Sequence, residues 1–197
     1  RRAYRAASTR WIGSTSLQPR LDRMPELPEV QALAADLDRR LRDRPITRID
    51  LVAFNALKTF DPPLSALHGT LVERVGRHGK FLDIEASGLH LVIHLARAGW
   101  IRWRDELPAV PARPSSKSPL ALRIVLDEEP DASGSGPAGL DVTEAGTKKS
   151  LAVYVVRDPA DVEGIARLGP DPLGEEFTPD VLHRILTDAG RSQLKGV

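Results

Sequence analysis

Between positions 70 and 156 the sequence repeats one pattern: a short apolar or alternating run, then a turn. Runs at 70–75, 80–85, 89–95 and 100–104 are divided by Gly76 and Gly79, by Ser87-Gly88 and by Gly99. Runs of this length, bounded by turn residues, read as strands rather than helices. The stretch 89–95 is almost wholly apolar, so both its faces are expected to be buried. Further strands are expected at 120–126, 139–142 and 151–156. This spacing predicts an antiparallel sheet or sandwich.

Helical patterns flank the strands. Val30, Leu33, Leu37 and Leu41 recur at helical spacing within 25–43, and Pro45 stops the run. Residues 46–53 read as a strand. Pro62-Pro63 precedes one helical turn at 64–67. A Pro- and Ser-rich loop follows at 107–119, and an acidic Gly/Ser-rich hairpin tip, expected to be mobile, at 127–139. Asp158-Pro159 opens a short helix at 160–166, and 168–174 has linker composition. Thr178 caps a last helix with Pro179 at its first position. Val181, Leu182, Ile185 and Leu186 form one face of it, which a lone helix cannot bury. The pattern reads as α+β: an antiparallel sheet or sandwich with flanking helices over 24–157, a linker over 158–174, and the start of a further helical part, cut short, over 175–197. No internal repeat is visible.

The chain has 197 residues, 41% hydrophobic and 28% charged, as ordinary globular proteins have. It lacks an apolar run near 18 residues, and no membrane partner is expected. Cys is absent, which excludes disulfides and Cys-based zinc sites in this sequence and fits a reducing cytosol. The net charge is +1, so any basic footprint for nucleic acid must be local. Residues 1–23 hold Arg1, Arg2, Arg5, Arg10, Arg20 and Arg23 against one acid, Asp22. They read either as a transit peptide or, as the adjacent Met24 favours, as sequence upstream of the true start.

The stretch Met24-Pro25-Glu26-Leu27-Pro28-Glu29-Val30 has two readings. It is a good helix start, with proline in the first turn and acids at the positive end. It is also a start codon followed by a secondary amine beside two carboxylates, able to form an iminium if Met24 is removed. Gly76-Arg77-His78-Gly79-Lys80 likewise reads as a hairpin with solvated cations or as a turn facing a phosphate. Neither this turn nor 146–150 meets the Walker pattern. His90 and His94 share a strand face about 13 Å apart, too far to hold one metal ion, and read as structural.

The sequence MPELPEV resembles the N-terminus of the formamidopyrimidine-DNA glycosylase and endonuclease VIII family of base-excision repair enzymes. The resemblance covers 24–197 and implies a β-sandwich flanked by helices over 24–157 and the start of a helix-two-turn-helix DNA-binding domain over 175–197. It implies excision of an oxidised base from damaged double-stranded DNA and strand cleavage at the abasic site, by a monomer in the bacterial cytoplasm. Pro25 would be the nucleophile, Glu26 the general acid, and Glu29 a support for the amine or the helix terminus. Lys80, in a Gly-Arg-x-Gly-Lys turn, would contact the phosphate beside the lesion, with Arg77 nearby. Lys195 falls where the family has a lysine near the lesion. No cofactor is implied within this chain; the family's zinc finger, or its zincless substitute, would lie beyond Val197.

Three positions depart from the family. Arg97 stands where a methionine enters the duplex. Residues 141–149, reading DVTEAGTKK, lack the Arg and Phe that complete that wedge, although Lys148 and Lys149 could serve phosphates. Gln31 replaces the usual glutamate. These departures keep open a damaged-DNA-binding module without turnover, and the short second domain keeps open a non-functional truncated reading frame.

Overall fold

The computed structural model describes residues 25–126, 136–145 and 148–190. Helix α1 spans Leu27–Leu41. Glu26 caps it in an extended conformation, Glu29 sits in the first turn, and Arg39 and Arg40 in the last, each sign complementing the helix dipole. Val30, Ala34, Leu37 and Leu41 form its buried stripe. The helix stops two residues before its expected end, and Asp43 then turns the chain at φ +62°.

The strands are β1 (Ile46–Leu51), β2 (Val72–His78), β3 (Phe81–Ala86), β4 (Leu89–His94), β5 (Gly99–Arg104), β6 (Leu120–Leu126), β7 (Gly139–Glu144) and β8 (Ala152–Val156). They form two four-stranded sheets, ordered β1-β6-β7-β5 and β2-β3-β4-β8, with every pairing antiparallel. The strand pattern left a sheet or a sandwich open; the observed architecture is the α+β sandwich that the resemblance implies. β2 runs past its expected end because Gly76, Arg77 and His78 pair with Asp83, Leu82 and Phe81.

The main core lies between the sheets and α1. Leu37 and Leu41 of α1 meet Leu82, Ile84, Leu91 and Ile93 of one sheet and Leu122, Ile124, Leu140 and Val142 of the other. As expected for 89–95, β4 is buried on both faces. Leu91 and Ile93 join this core, while Val92 joins a second cluster with Val156 and Val162, capped by Phe81, Tyr154 and Ile165. That second cluster seats the segment after β8. Residues 160–166 are not one helix but a 3-10 turn, Pro159–Asp161, followed by α2 (Glu163–Ala166). Val162, only 2% exposed and in an extended conformation, breaks the helix by turning its side chain into the cluster. Helix α3 spans Pro179–Ala189, capped by the Thr178 hydroxyl, and has no buried residue.

Buried acids are paired. Asp141 accepts hydrogen bonds from Arg123 (2.7 Å) and Arg104 (3.0 Å) across neighbouring strands. The half-buried Asp38 of α1 accepts from the Val75 N–H at 2.7 Å, which occupies a backbone donor on the sheet's edge strand. Burial pushes the Asp38 pKa up, but the bonds from Arg42 and Val75 and the charges of Arg42 and Arg74 outweigh it, and the net direction is down. Among the described residues no helix is long and apolar enough to cross a membrane.

The chain changes sheets between β4 and β5 through a tight turn at 95–98. Ala96 adopts φ +53°, and the Gly99 N–H closes on the Leu95 carbonyl at 2.9 Å. A Cβ at Gly99 would lie 2.1 Å from that carbonyl oxygen, so only glycine fits the approach. Gly99→Ala should cost about 1–3 kcal/mol of unfolding free energy, as overpacking does. Urea denaturation checks this; a midpoint equal to that of the unchanged protein would show that the turn relaxes freely.

Candidate active site

Three elements converge at the start of α1. The helix brings Pro25, which is buried, and Glu26, which is exposed. The Glu26 N–H donates to Glu29 Oε2 at 2.7 Å. Glu29 thus fills the helix-terminus role, one of the two the sequence left open for it. The hairpin joining β2 and β3 turns through Gly79, at φ +54°, and Lys80. This turn carries Lys80 Nζ to within 3.3 Å of Glu26 Oε2. Both side chains are substantially exposed, so the pair orders the site more than it stabilises the fold.

β4 supplies the third component. Phe81 pairs in register with His94, and the two rings stack with centroids 4.6 Å apart. Burial pushes the His94 pKa below the ordinary histidine value, and the nearby Lys80 charge pushes it in the same direction. The sequence reading set His94 aside as structural. Its place beside Lys80 follows from counting back along the hairpin from the two-residue turn Ser87-Gly88, at φ +52° and φ +74°. His90 is tied instead to the buried Asp83, at 3.0 Å, and His78 binds the same carboxylate at 3.0 Å. Among the described residues no group of three metal-ligating side chains is assembled.

Arg77 is placed differently from expectation. Its side chain is only 4% exposed, and its guanidinium is engaged by Gln31, by Asp171 and, at 3.4 Å, by the Gly79 carbonyl. The turn therefore presents Lys80 to solvent and Arg77 to protein. The Arg77 hydrogen bond, reinforced by a bond from the Leu173 N–H, holds the Asp171 carboxyl below the usual range.

Arg97 is exposed on the 95–98 turn. The neighbouring loop after β7 is tied to that turn by a bond from the Ala145 N–H to the Ala98 carbonyl at 3.1 Å. Glu144 is buried and accepts from the Ser150 and Leu151 N–H groups, at 2.6 and 3.0 Å. Lys149 folds back onto the Glu144 carbonyl, whereas Lys148 is exposed. Arg97 and Lys148 thus lie on adjoining loops. Residues 1–23 and Lys195 lie outside the described residues, as does 127–135 of the expected hairpin tip.

The family model for the formamidopyrimidine-DNA glycosylase N-terminal domain matches residues 24–135, from the residue before Pro25 through β6. The chain belongs to this family. It is 30% identical over 174 residues to the formamidopyrimidine-DNA glycosylase of Symbiobacterium thermophilum, covering 85% of this chain and 50% of that protein. The corresponding protein of Stutzerimonas stutzeri is 33% identical over 171 residues, covering 86% and 56%. The chain thus spans little more than half the length of such relatives. Among solved structures, Lactococcus lactis formamidopyrimidine-DNA glycosylase bound non-covalently to DNA containing an AP site superposes with a TM-score of 0.65 at 21% identity, covering 83% of this chain and 57% of that one. MutM in complex with DNA containing carbocyclic 8-oxo-G gives 0.64 at 20% identity, covering 83% and 57%. These two likenesses concern the fold.

In this glycosylase-family chain the depressed His94 pKa has a direct test. A lowered histidine pKa favours the neutral ring. Its contribution to stability is full above the ordinary histidine value and is lost as pH falls through the lower folded value. Lys80→Met removes the adjacent charge and should move the His94 pKa upward in an NMR titration. A titration unchanged by the substitution would show that burial alone sets it.

Proposed function

We propose that this chain carries the catalytic part of a bifunctional DNA glycosylase and AP lyase. It acts as a monomer on damaged double-stranded DNA, removes an oxidised base and cleaves the strand at the resulting abasic site. The observation that carries this reading is the meeting of Glu26 and Lys80 directly after Pro25, within the segment matched by the glycosylase family. Relatives solved with AP-site and 8-oxo-G DNA support the class of substrate.

The target nucleotide must leave the stack, because C1′ is inaccessible within the duplex. The Pro25 nitrogen, as a free secondary amine, then attacks C1′. The glycosidic bond breaks, and the base leaves with the bonding pair and gains a proton. Glu26, as general acid, protonates the departing base or the opening sugar oxygen. Loss of the amine proton and opening of the ring give an iminium joining Pro25 to C1′. This cation acidifies C2′; loss of a C2′ proton expels the 3′-phosphate, which departs as its anion.

The amine must be unacylated. While Met24 is attached, the Pro25 nitrogen is a tertiary amide whose lone pair is delocalised, with neither basicity nor nucleophilicity. A terminal amine with a pKa near 8 is roughly one-tenth neutral at pH 7. The reactive form is therefore the one that begins at Pro25. Glu29 holds the helix terminus on which that amine sits, and Lys80 contacts the phosphate beside the lesion. Arg97 and Lys148 face the duplex from the adjoining loops, Lys149 would reach a phosphate only by leaving the Glu144 carbonyl, and Lys195 is assigned the part of the family's lysine near the lesion.

A second reading, damage recognition without turnover, is favoured by Arg97 in the wedge position and by the absence of Arg and Phe at 141–149. Base release by the protein beginning at Pro25 separates the two: the enzyme releases base in single turnover, and the binding module retains DNA and releases none. In the enzyme, Lys80→Ala should slow release and reduce the slope of log affinity against log salt by about 0.9, one phosphate's worth. Unchanged rate and slope would return Lys80 to the ordinary surface lysines.

Lesion choice follows from Arg97. Flipping a stably paired base costs a few kcal/mol, and an arginine offsets less of that than an apolar wedge. Abasic and single-stranded lesions are the expected favoured substrates over 8-oxoguanine opposite cytosine. A side-by-side rate comparison decides this, and faster turnover of the paired 8-oxoguanine would falsify it.

A further inference from the structure

Arg77 shares its donors among three separate elements. Its Nε donates to Gln31 Oε1 of α1 at 2.6 Å. Its two terminal nitrogens form a fork on Asp171, with Nη1 2.9 Å from Oδ2 and Nη2 3.0 Å from Oδ1. Nη1 also faces the Gly79 carbonyl at 3.4 Å, immediately before Lys80. Leu168 of the same linker lies over this turn, 3.1 Å from where a Gly79 Cβ would be. Asp171 in turn accepts the Leu173 N–H at 3.0 Å, which fixes the linker's own bend.

We propose that Arg77 is a positioning residue, and that its guanidinium locks the reactive end of α1, the Lys80 turn and the linker at Asp171 into one frame. For its kinetic part this inference rests on the function proposed above. The argument is geometric. A planar fork bound to a carboxylate on two sides holds direction as well as distance, which a single ammonium does not. Gln31 lies on the same rigid helix as Glu26, so a displacement at Gln31 is passed to the helix start. Gly79 is bonded to Lys80, so the turn cannot shift without Arg77. The linker thereby reaches the Glu26–Lys80 pair through one side chain. To serve as a phosphate ligand instead, Arg77 would have to leave both Asp171 and Gln31 and emerge from burial.

The test combines hydrogen exchange, read by mass spectrometry, with single-turnover base release from abasic and oxidised DNA. Asp171→Asn is the main variant, because Asp171 is at the surface and its loss leaves the core untouched. It should speed exchange at Leu173 and Gly174 and also, across the frame, in the peptide covering 26–31. The single-turnover rate should fall on the order of ten- to a hundredfold, as small misplacements of catalytic groups do. DNA affinity and its salt dependence should stay unchanged. Arg77→Lys, which keeps the charge and loses the fork, should show the same pattern.

The proposal is overturned if Asp171→Asn loosens the linker alone and leaves residues 26–31 at their normal exchange. It is also overturned if Arg77→Lys matches the unchanged protein in both readouts, or if the defect lies wholly in DNA affinity and salt slope, the mark of a phosphate contact. Should the unchanged protein release no base while Asp171→Asn still loosens 26–31, the positioning role stands and the proposed function fails.

Discussion

The seating of α1 along the edge strand β2 is the contact on which the rest of the site depends. Leu37 and Leu41 sink into the core between the two sheets, each worth about 1.5–3 kcal/mol in burial. Asp38 then bonds the Val75 N–H, a donor the sheet has no further strand to satisfy. A helix pinned at this end is a rigid lever, and its other end carries Pro25 and Glu26. The position of the proposed nucleophile is set by packing several turns away. The β2–β3 hairpin, which supplies Lys80, grows from the same strand, so both halves of the Glu26–Lys80 pair share one anchor.

Charge is used locally. A net charge of +1 gives no overall attraction to a polyanion, and the cations divide by environment rather than by number. Arg104 and Arg123 are spent on Asp141 within a sheet. Arg77 is spent on Asp171, and Lys149 folds onto a backbone carbonyl. Arg97 and Lys148 remain exposed on adjoining loops. The proposed DNA face is therefore narrow, and the rest of the affinity for a duplex is expected to come from outside the sandwich.

What the sequence disclosed was mainly what local pattern encodes. Strands bounded by Gly and Ser turns were legible because alternation and turn chemistry act within a few residues. The burial of β4 on both faces was legible from its unbroken apolar run. The fate of 160–166 was not, because the break comes from Val162 reaching a cluster built by distant strands. Arg77 was misplaced among phosphate-facing cations for a related reason. Its partner Asp171 is 94 residues further on, and no local spacing reports a contact at that range. His94 was recoverable, since hairpin register places it beside Phe81, but setting both histidines aside as structural concealed it. Pro25, Glu26 and Lys80 were singled out through resemblance, because their spacing alone equally describes a capped helix and an ordinary hairpin.

The central claim is that the Pro25 nitrogen is the nucleophile, and it is most directly tested by locating the covalent bond. Abasic DNA is incubated with the protein and borohydride, and the reduced adduct is digested and mapped by mass spectrometry. The account predicts an adduct on Pro25 when the chain begins at that residue, a weaker one for Pro25→Gly, and none through Pro25 when residues 1–24 remain attached. An adduct mapped to Pro25 with those residues still in place, or one carried by a lysine in the chain beginning at Pro25, would contradict it.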